Sequence, residues 1–167
     1  MSKSSSIRVG SASGTIWMQV DGRGTFENCQ GLKEFSRRMI AKGHVEFILD
    51  LEKCELMDST FMGTLAALAF SLRDIERGLL RVVRANPRNF SLLENLGLDH
   101  LFSVEPEPSD PAPSSLKKNP DSAPEKDSEE ARVHILEAHE ALIEADPRNA
   151  VRFQDVIDFL KSEATDA

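Results

Sequence analysis

The sequence is poor in the residues that build ligand pockets and covalent or metal-bound scaffolds. Its 167 residues include no tyrosine, one tryptophan (Trp17) and two cysteines, Cys29 and Cys54. Few aromatic side chains are therefore present to line a small-molecule pocket. The two cysteines fit no metal-binding spacing and are fewer than a small secreted scaffold usually carries, which indicates reduced thiols in the cytoplasm. We expect no metal and no other cofactor.

An excess of positive charge and long hydrophobic runs are also missing. Lys and Arg number 20 against 28 Asp and Glu, so the formal net charge is −8. Such an acidic chain has little electrostatic affinity for nucleic acid or anionic lipid. Because no apolar stretch approaches the roughly 18 residues of a membrane span, direct membrane insertion is not expected. The polar N-terminus lacks the apolar core of a secretory signal, which again favours a cytoplasmic protein.

Proline divides the chain into three parts. Residues 105–127 hold six of the eight prolines, and this composition predicts a flexible Pro/Ser-rich linker because it buries too little apolar surface to offset its ordering entropy. The linker separates a globular domain, residues 1–104, from residues 128–167. The latter carry two apolar stripes at helical spacing, separated by Asp146-Pro147, which predicts a helical hairpin. Two short helices cannot sustain a core, so the hairpin packs on the domain, on another copy in a homo-oligomer, or on a partner.

Strand and helix patterns alternate within the globular domain in the order β-β-α-β-α-β-α-β. The run from Val45 to Leu51 is apolar on both faces at its centre, as is typical of a central strand covered by helices. A long apolar helix is predicted from about Ser59 to Arg77. We expect an α/β fold with a mixed sheet of four to five strands and helices packed against it.

The segment Asp58-Ser59-Thr60 lies between two apolar residues, Leu56 and Met57, and that apolar helix. A hydroxyl at the start of a helix lies among unpaired backbone N–H donors, where a phosphate is electrostatically tolerated. A plain structural interpretation competes with this one, since Ser is also a favoured capping residue and Asp58 is equally explained as a capping carboxylate. A modification site and a helix cap therefore both remain open at this point.

Three blocks follow one another along the chain: Phe47-Ile48-Leu49-Asp50-Leu51, then Leu56-Met57-Asp58-Ser59-Thr60-Phe61-Met62-Gly63, and finally Leu93-Glu94-Asn95-Leu96-Gly97-Leu98-Asp99-His100-Leu101-Phe102. In this order they resemble the STAS domain of bacterial anti-sigma factor antagonists. The resemblance covers about 100 residues but neither the linker nor the hairpin. It implies a STAS fold and a role in transcription regulation by partner switching. In that family the unphosphorylated antagonist binds an anti-sigma factor that is also a Ser/Thr protein kinase, phosphorylation releases it, and a Ser/Thr phosphatase resets the cycle.

The resemblance also implies which residues act. Ser59 matches the phosphorylated serine, and Thr60 matches the second hydroxyl position as a less favoured phosphosite. Phe61 departs from the family, in which many members have glycine there. It is expected either as an exposed knob on the partner surface or as a side chain turned into the core, whereas Gly63 keeps a small position that lets another element approach. The predicted partner-binding residues are Asp58, Ser59, Thr60, Phe61, Met62 and Gly63.

The sequence therefore favours a regulatory binding module rather than an enzyme. Two alternatives remain: a STAS subunit that docks on a membrane lipid/ABC transporter, and a sensor of a small apolar ligand. The hairpin is interpreted as an intramolecular cover over the partner surface. Its histidines, His134 and His139, are five residues apart and so do not share a helical face. With Glu137 and Glu140 they predict a solvated charged face and not a metal site.

Overall fold

The computed structural model describes residues 5–120, 124–125 and 128–165. Seven strands and five helices are present in that part of the chain. The strands are β1 (Ser6–Ala12), β2 (Thr15–Gly24), β3 (Glu46–Asp50), β4 (Cys54–Met57), β5 (Leu79–Val83), β6 (Ser103–Glu105) and β7 (Lys117–Asn119). The helices are α1 (Phe26–Ala41), α2 (Ser59–Arg73), α3 (Pro87–Asn95), α4 (Glu129–Ala145) and α5 (Ala150–Thr165).

The strands form one mixed sheet in the order β6-β5-β3-β2-β1-β7, with β4 paired to β2. Strands β2, β3, β5 and β6 run parallel to one another, whereas β1 is antiparallel to both β2 and β7. This confirms the expected α/β class with a mixed sheet. The sheet is larger than the predicted four to five strands because β4 is only four residues long and β7 is a polar edge strand, Lys117–Asn119. Neither gives a clear hydrophobic alternation.

One face of the sheet carries the main hydrophobic core. Helices α1 and α2 cover it, and their apolar side chains pack against alternate residues of β2 and β3. The buried residues at the centre of this core are Met18, Leu32, Phe47, Leu49, Phe61 and Leu65. A central strand that is apolar on both faces requires cover on the second face as well.

The segment predicted to be a flexible linker supplies that second cover. Leu116 packs on Trp17, Ile48 and Val83, and β7 extends the sheet by pairing with β1. Arg81 forms an ion pair with Asp110 farther up the segment. The structure thus gives residues 105–120 of this proline-rich stretch a defined course. Composition alone missed it because one leucine and a three-residue backbone ladder hold the segment in place.

The predicted helical hairpin is present, and it lies on the domain. Helix α4 runs along α2, and α5 packs on α4. The Ser128 side chain caps α4 by accepting a hydrogen bond from the Ala131 N–H at 3.1 Å. Of the three alternatives left open for the hairpin, the structure shows packing on the same chain. None of the helices within the described residues is long and apolar enough to cross a bilayer.

Candidate functional site

Asp58 links the two helices that cover the core. One of its carboxylate oxygens accepts a hydrogen bond from the Phe61 N–H at 2.8 Å, which caps α2, and the other accepts from the Phe26 N–H at 2.9 Å, at the start of α1. Its own N–H donates to the Gly24 carbonyl at 2.9 Å. The structure therefore gives Asp58 the capping role that the sequence left open, and it caps α2 without help from its neighbour.

Ser59, the first residue of α2, is half-buried and faces the hairpin. Its Oγ lies 2.9 Å from Nε2 of His139, and Nδ1 of that histidine lies 2.7 Å from the Ile135 carbonyl. A carbonyl only accepts, so Nδ1 carries a hydrogen, and in the tautomer with no hydrogen on Nε2 that nitrogen accepts from the Ser59 hydroxyl. The Ser59 hydroxyl is thus engaged by a side chain 80 residues away.

A second histidine of α4 makes a buried polar contact beside the first. Nε2 of His134 lies 2.9 Å from the Thr64 hydroxyl and 3.2 Å from Sγ of Cys29, while Nδ1 contacts the Gln30 side chain. Burial lowers the pKa of His134 to about 4 and raises the pKa of Cys29 to about 12. Both groups are consequently neutral near pH 7. The hairpin is held here by hydrogen bonds between uncharged groups.

The prediction of a solvated face for these histidines was wrong. His134 and His139 are 3% and 4% exposed. They point in different directions from α4, as their spacing requires, but α4 lies between two neighbours. His134 faces α1 and α2, and the His139 ring packs edge-on against Phe153 of α5 with centroids 5.1 Å apart. The sequence of α4 alone does not indicate that other helices cover it on two sides.

Helices α2 and α4 are in close contact at Gly63. A Cβ added there would lie 2.8 Å from the Ala138 Cβ and would overlap the Ala138 carbonyl. A small residue is therefore needed at this position. The prediction that Gly63 admits another element agrees with the structure, in which that element is α4.

Two further anchors hold α4. At its middle, Lys33 and Glu137 form an ion pair at 2.9 Å. At its C-terminal end, the Asn149 side-chain amide donates to the Leu96 carbonyl at 3.0 Å and to the Leu142 carbonyl at 2.7 Å. These contacts attach the turn of the hairpin to the end of α3.

The predicted partner-binding residues do not form one exposed patch. Thr60, Phe61 and Met62 are all buried. Phe61 turns into the core, and a Cβ at Gly24 would lie 2.8 Å from its ring. Of the two alternatives for Phe61, the structure therefore shows the buried one. The surface around Ser59 is instead completed by residues of the hairpin. Sequence reasoning did not place these residues at the site. The small residue at Gly63 was the only sign in the sequence analysis that another element packs there.

The enclosed space at the site is small. Within residues 5–120, 124–125 and 128–165, no group of three or more His, Cys, Asp or Glu side chains is placed to hold a metal ion. A cavity between α1, α2 and α4 has a volume of about 110 Å³, whereas pockets for drug-sized ligands measure roughly 300–1,000 Å³. A more open groove of about 470 Å³ lies beside it, between α1 and the N-terminal half of α4.

Comparisons with known proteins agree with this fold. Residues 7–104 match the sequence model of the family described as "Mlab, STAS domain". The structure is similar to that of a putative anti-sigma factor antagonist from Thermotoga maritima, with a TM-score of 0.58, 18% identity, and coverage of 62% of this chain and 88% of the other. An anti-sigma factor antagonist from Mycobacterium paratuberculosis gives a TM-score of 0.56 and 24% identity, with coverage of 62% and 86%. No curated protein sequence matches the chain significantly.

This chain belongs to the STAS domain family, since the matched residues make up more than half of it. The resemblance inferred from the three sequence blocks is thereby confirmed. The family match ends at residue 104, so β7 and the α4–α5 hairpin (Glu129–Thr165) lie outside it. The cover over Ser59 is an addition to the shared domain.

Proposed function

We propose that this protein is a cytoplasmic anti-sigma factor antagonist, a regulatory binding module that acts by partner switching and not as an enzyme. The observation that carries the proposal is that Asp58 and Ser59 have different structural roles. Asp58 supplies the cap of α2, and the Ser59 hydroxyl makes its contact with another helix. A serine that is not needed as a cap is available as a switch.

In the proposed cycle, the unphosphorylated form binds an anti-sigma factor that is also a Ser/Thr kinase. A phosphate on Ser59 adds between about −1.5 and −2 charges. The N-terminus of α2 stabilises this charge, so the domain need not rearrange. A partner surface that fits a neutral hydroxyl would instead face a desolvated dianion and would dissociate. A Ser/Thr phosphatase restores the binding form.

Burial supports Ser59 over Thr60 as the phosphorylated residue. Thr60 is 7% exposed and its backbone carbonyl accepts from the Thr64 hydroxyl at 2.8 Å. Ser59 is half-buried and lies at the surface of the STAS domain, beneath the hairpin. A kinase therefore needs only the hairpin to move in order to reach Ser59, whereas Thr60 requires α2 itself to shift.

The proposal is tested by affinity capture from the source organism with full-length wild type, Ser59→Ala and Ser59→Asp as baits. Captured proteins are identified by mass spectrometry, which also searches wild type for phosphate on Ser59. We expect a kinase-domain protein with the Ala bait and its loss with the Asp bait. Ser91→Asp, which places the same charge on an exposed position of α3, is the matched control. Identical partner sets for all four baits would contradict the switch.

A second candidate is a STAS subunit that docks on a membrane transporter. The observation that favours it is the hydrogen bond between Ser59 and His139 within the chain, because such a subunit requires no accessible phosphorylation site. This candidate predicts that the protein sediments with a membrane transporter from its source organism. It also predicts that the Ser59→Ala and Ser59→Asp forms do so equally.

A further inference from the structure

The surface of the STAS domain next to Ser59 is a helix-binding surface. Helix α4 occupies it, and the contacts come in a line along α2: Ser59 to His139, Gly63 to Ala138, and Thr64 to His134. The residues of α4 that are buried include three alanines and both histidines. A helix that fits here carries a small residue opposite Gly63 and a hydrogen-bond acceptor opposite the Ser59 hydroxyl. Opposite Thr64 it carries a donor, because the Thr64 hydroxyl proton goes to the Thr60 carbonyl.

This contact surface differs from a permanent core. Within the STAS domain the Thr64 hydroxyl donates to the Thr60 carbonyl and the Cys29 thiol donates to the Phe26 carbonyl. Further hydrogen bonds of its polar groups cross the interface to α4. Each contributes about 0.5–1.5 kcal/mol net, because water replaces it when the helix leaves. The interface is thus suited to reversible docking.

We propose that the α4–α5 hairpin is an internal ligand of the Ser59 surface and that a negative charge on Ser59 displaces it. The hairpin and a charged Ser59 are mutually exclusive because α4 binds the neutral hydroxyl at 2.9 Å. At that separation a phosphoryl group does not fit between Oγ and Nε2. The His139 ring cannot retreat either, since it is held by the Ile135 carbonyl on one side and by the Phe153 ring on the other.

The proposal rests on the proposed function only for the identity of the outside partner. A hairpin that binds the neutral hydroxyl competes with any partner that binds the same form. The unphosphorylated protein then divides between a self-closed form and a partner-bound form, and the phosphorylated protein forms neither complex. The strength of hairpin docking thereby sets the concentration of partner that is needed to convert the self-closed form to the partner-bound form.

The two native cysteines allow a test that requires no partner. Cys29 is buried, and its Sγ contacts His134 of α4. Cys54 is also buried but is the first residue of β4, and its Sγ donates to the Leu56 carbonyl. Detachment of the hairpin uncovers Cys29 and leaves Cys54 covered. The rates at which N-ethylmaleimide labels the two thiols therefore separate local opening from global unfolding.

The experiment compares full-length wild type with Gly63→Ala, Ser59→Ala and Ser59→Asp, and uses Ser91→Ala and Ser91→Asp as matched controls. Gly63→Ala places a methyl group against Ala138 and should accelerate Cys29 labelling at least about tenfold, equivalent to about 1.4 kcal/mol of lost docking. Ser59→Asp should do the same. Ser59→Ala should change it less than about threefold, since it removes one hydrogen bond without adding charge. The Ser91 variants should match wild type.

Several outcomes would overturn the proposal. Cys29 labelling in Ser59→Asp that is unchanged, slower, or equal to that in Ser59→Ala would show that charge does not release the hairpin. Equal acceleration of Cys29 and Cys54 in Gly63→Ala would show that the hairpin does not open separately. Because no kinase or anti-sigma factor takes part, failure here is distinct from failure of the capture experiment.

Discussion

The two sides of α2 make contacts of opposite character. Phe61 and Leu65 point to the sheet and are fully buried among large apolar side chains. Gly63 and Thr64 point to α4 and meet alanine and histidine. A rotation of about 200° around the helix separates Phe61 from Gly63. One helix thus has a dry, apolar face toward the sheet and a small, polar face toward the hairpin.

This difference indicates which contact is able to open. Burying a large apolar side chain contributes about 1.5–3 kcal/mol, and the sheet side of α2 buries several. The hairpin side combines hydrogen bonds, whose net contributions are smaller, with apolar contacts of Ala141, Leu142 and Phe153 to the main core. The sheet side should therefore hold the fold together, and the hairpin side should respond to charge and pH.

The largest effect is expected on the sheet side. Phe61→Ala removes a fully buried ring and should lower the free energy of unfolding by about 3–5 kcal/mol, measured by urea denaturation. Phe159→Ala is the matched control, because this ring on α5 is 61% exposed and its loss should cost less than about 0.5 kcal/mol. If the two substitutions lowered the free energy of unfolding equally, the distinction between the core under α2 and the hairpin would not hold.

Acid should act on the hairpin side through His134. Its pKa is lowered to about 4 when the hairpin is docked, mainly by burial, with Lys33 and Arg37 nearby lowering it and Glu137 raising it. In the undocked chain the ordinary value of about 6.5 applies. Docking is therefore strongest above pH 6.5 and weakens as the pH falls toward 4, by roughly 3 kcal/mol at most.

The pH dependence is checked with His134→Gln, which cannot titrate. Hydrogen exchange of the α4 amides, corrected for the intrinsic effect of pH, should show progressive opening of wild type between pH 6.5 and 4. The variant should have a weaker interface with little dependence on pH over this range. Parallel curves for the two proteins would contradict a role for His134.

A smaller effect is expected where the two helices of the core are joined. Asp58→Ala leaves the Phe61 and Phe26 N–H groups without their acceptor and should cost about 1–2 kcal/mol, seen as a lower thermal midpoint. Asp74→Ala, at the exposed C-terminal end of the same helix, should be nearly neutral. If both substitutions are neutral, Asp58 does not act as the cap described.

The smallest effect should come from the opposite face of the sheet. Leu116→Ala opens the cover over Trp17, the single tryptophan, and should shift its fluorescence emission to longer wavelength while costing about 1 kcal/mol. Gly63→Ala, which acts on the hairpin, should leave the emission unchanged. A spectral shift in Gly63→Ala would mean that the two covers are coupled.

The parts of the fold that sequence predicted are those with strong local periodicity. Val45–Leu51 and the apolar helix from Ser59 identified the central strand and α2, and the hairpin followed from its two stripes. The α2 helix ends at Arg73 rather than at the predicted Arg77, whose φ of 65° lies in the left-handed region. Local pattern located the elements but not always their ends.

The sequence predicted the part of the site that lies at the start of α2 but not the hairpin residues that contact it. The order of residues at Asp58-Ser59-Thr60 identified the strand-to-helix junction through the family pattern. The contact with His139 could not be predicted, because it joins residues 80 positions apart and depends on how the hairpin is oriented. Phe61 illustrates the same limit, since its sequence position allows either face and the space left by Gly24 decides.

The central claim is that the hairpin opens as a unit while the core stays closed. Native-state hydrogen exchange of the wild-type protein and Gly63→Ala tests it most directly. We expect the amides of α4 and α5 to exchange through an opening of lower free energy than those of β2, β3 and β5, with Gly63→Ala lowering only the hairpin value. A single free energy shared by hairpin and sheet in both proteins would contradict the account.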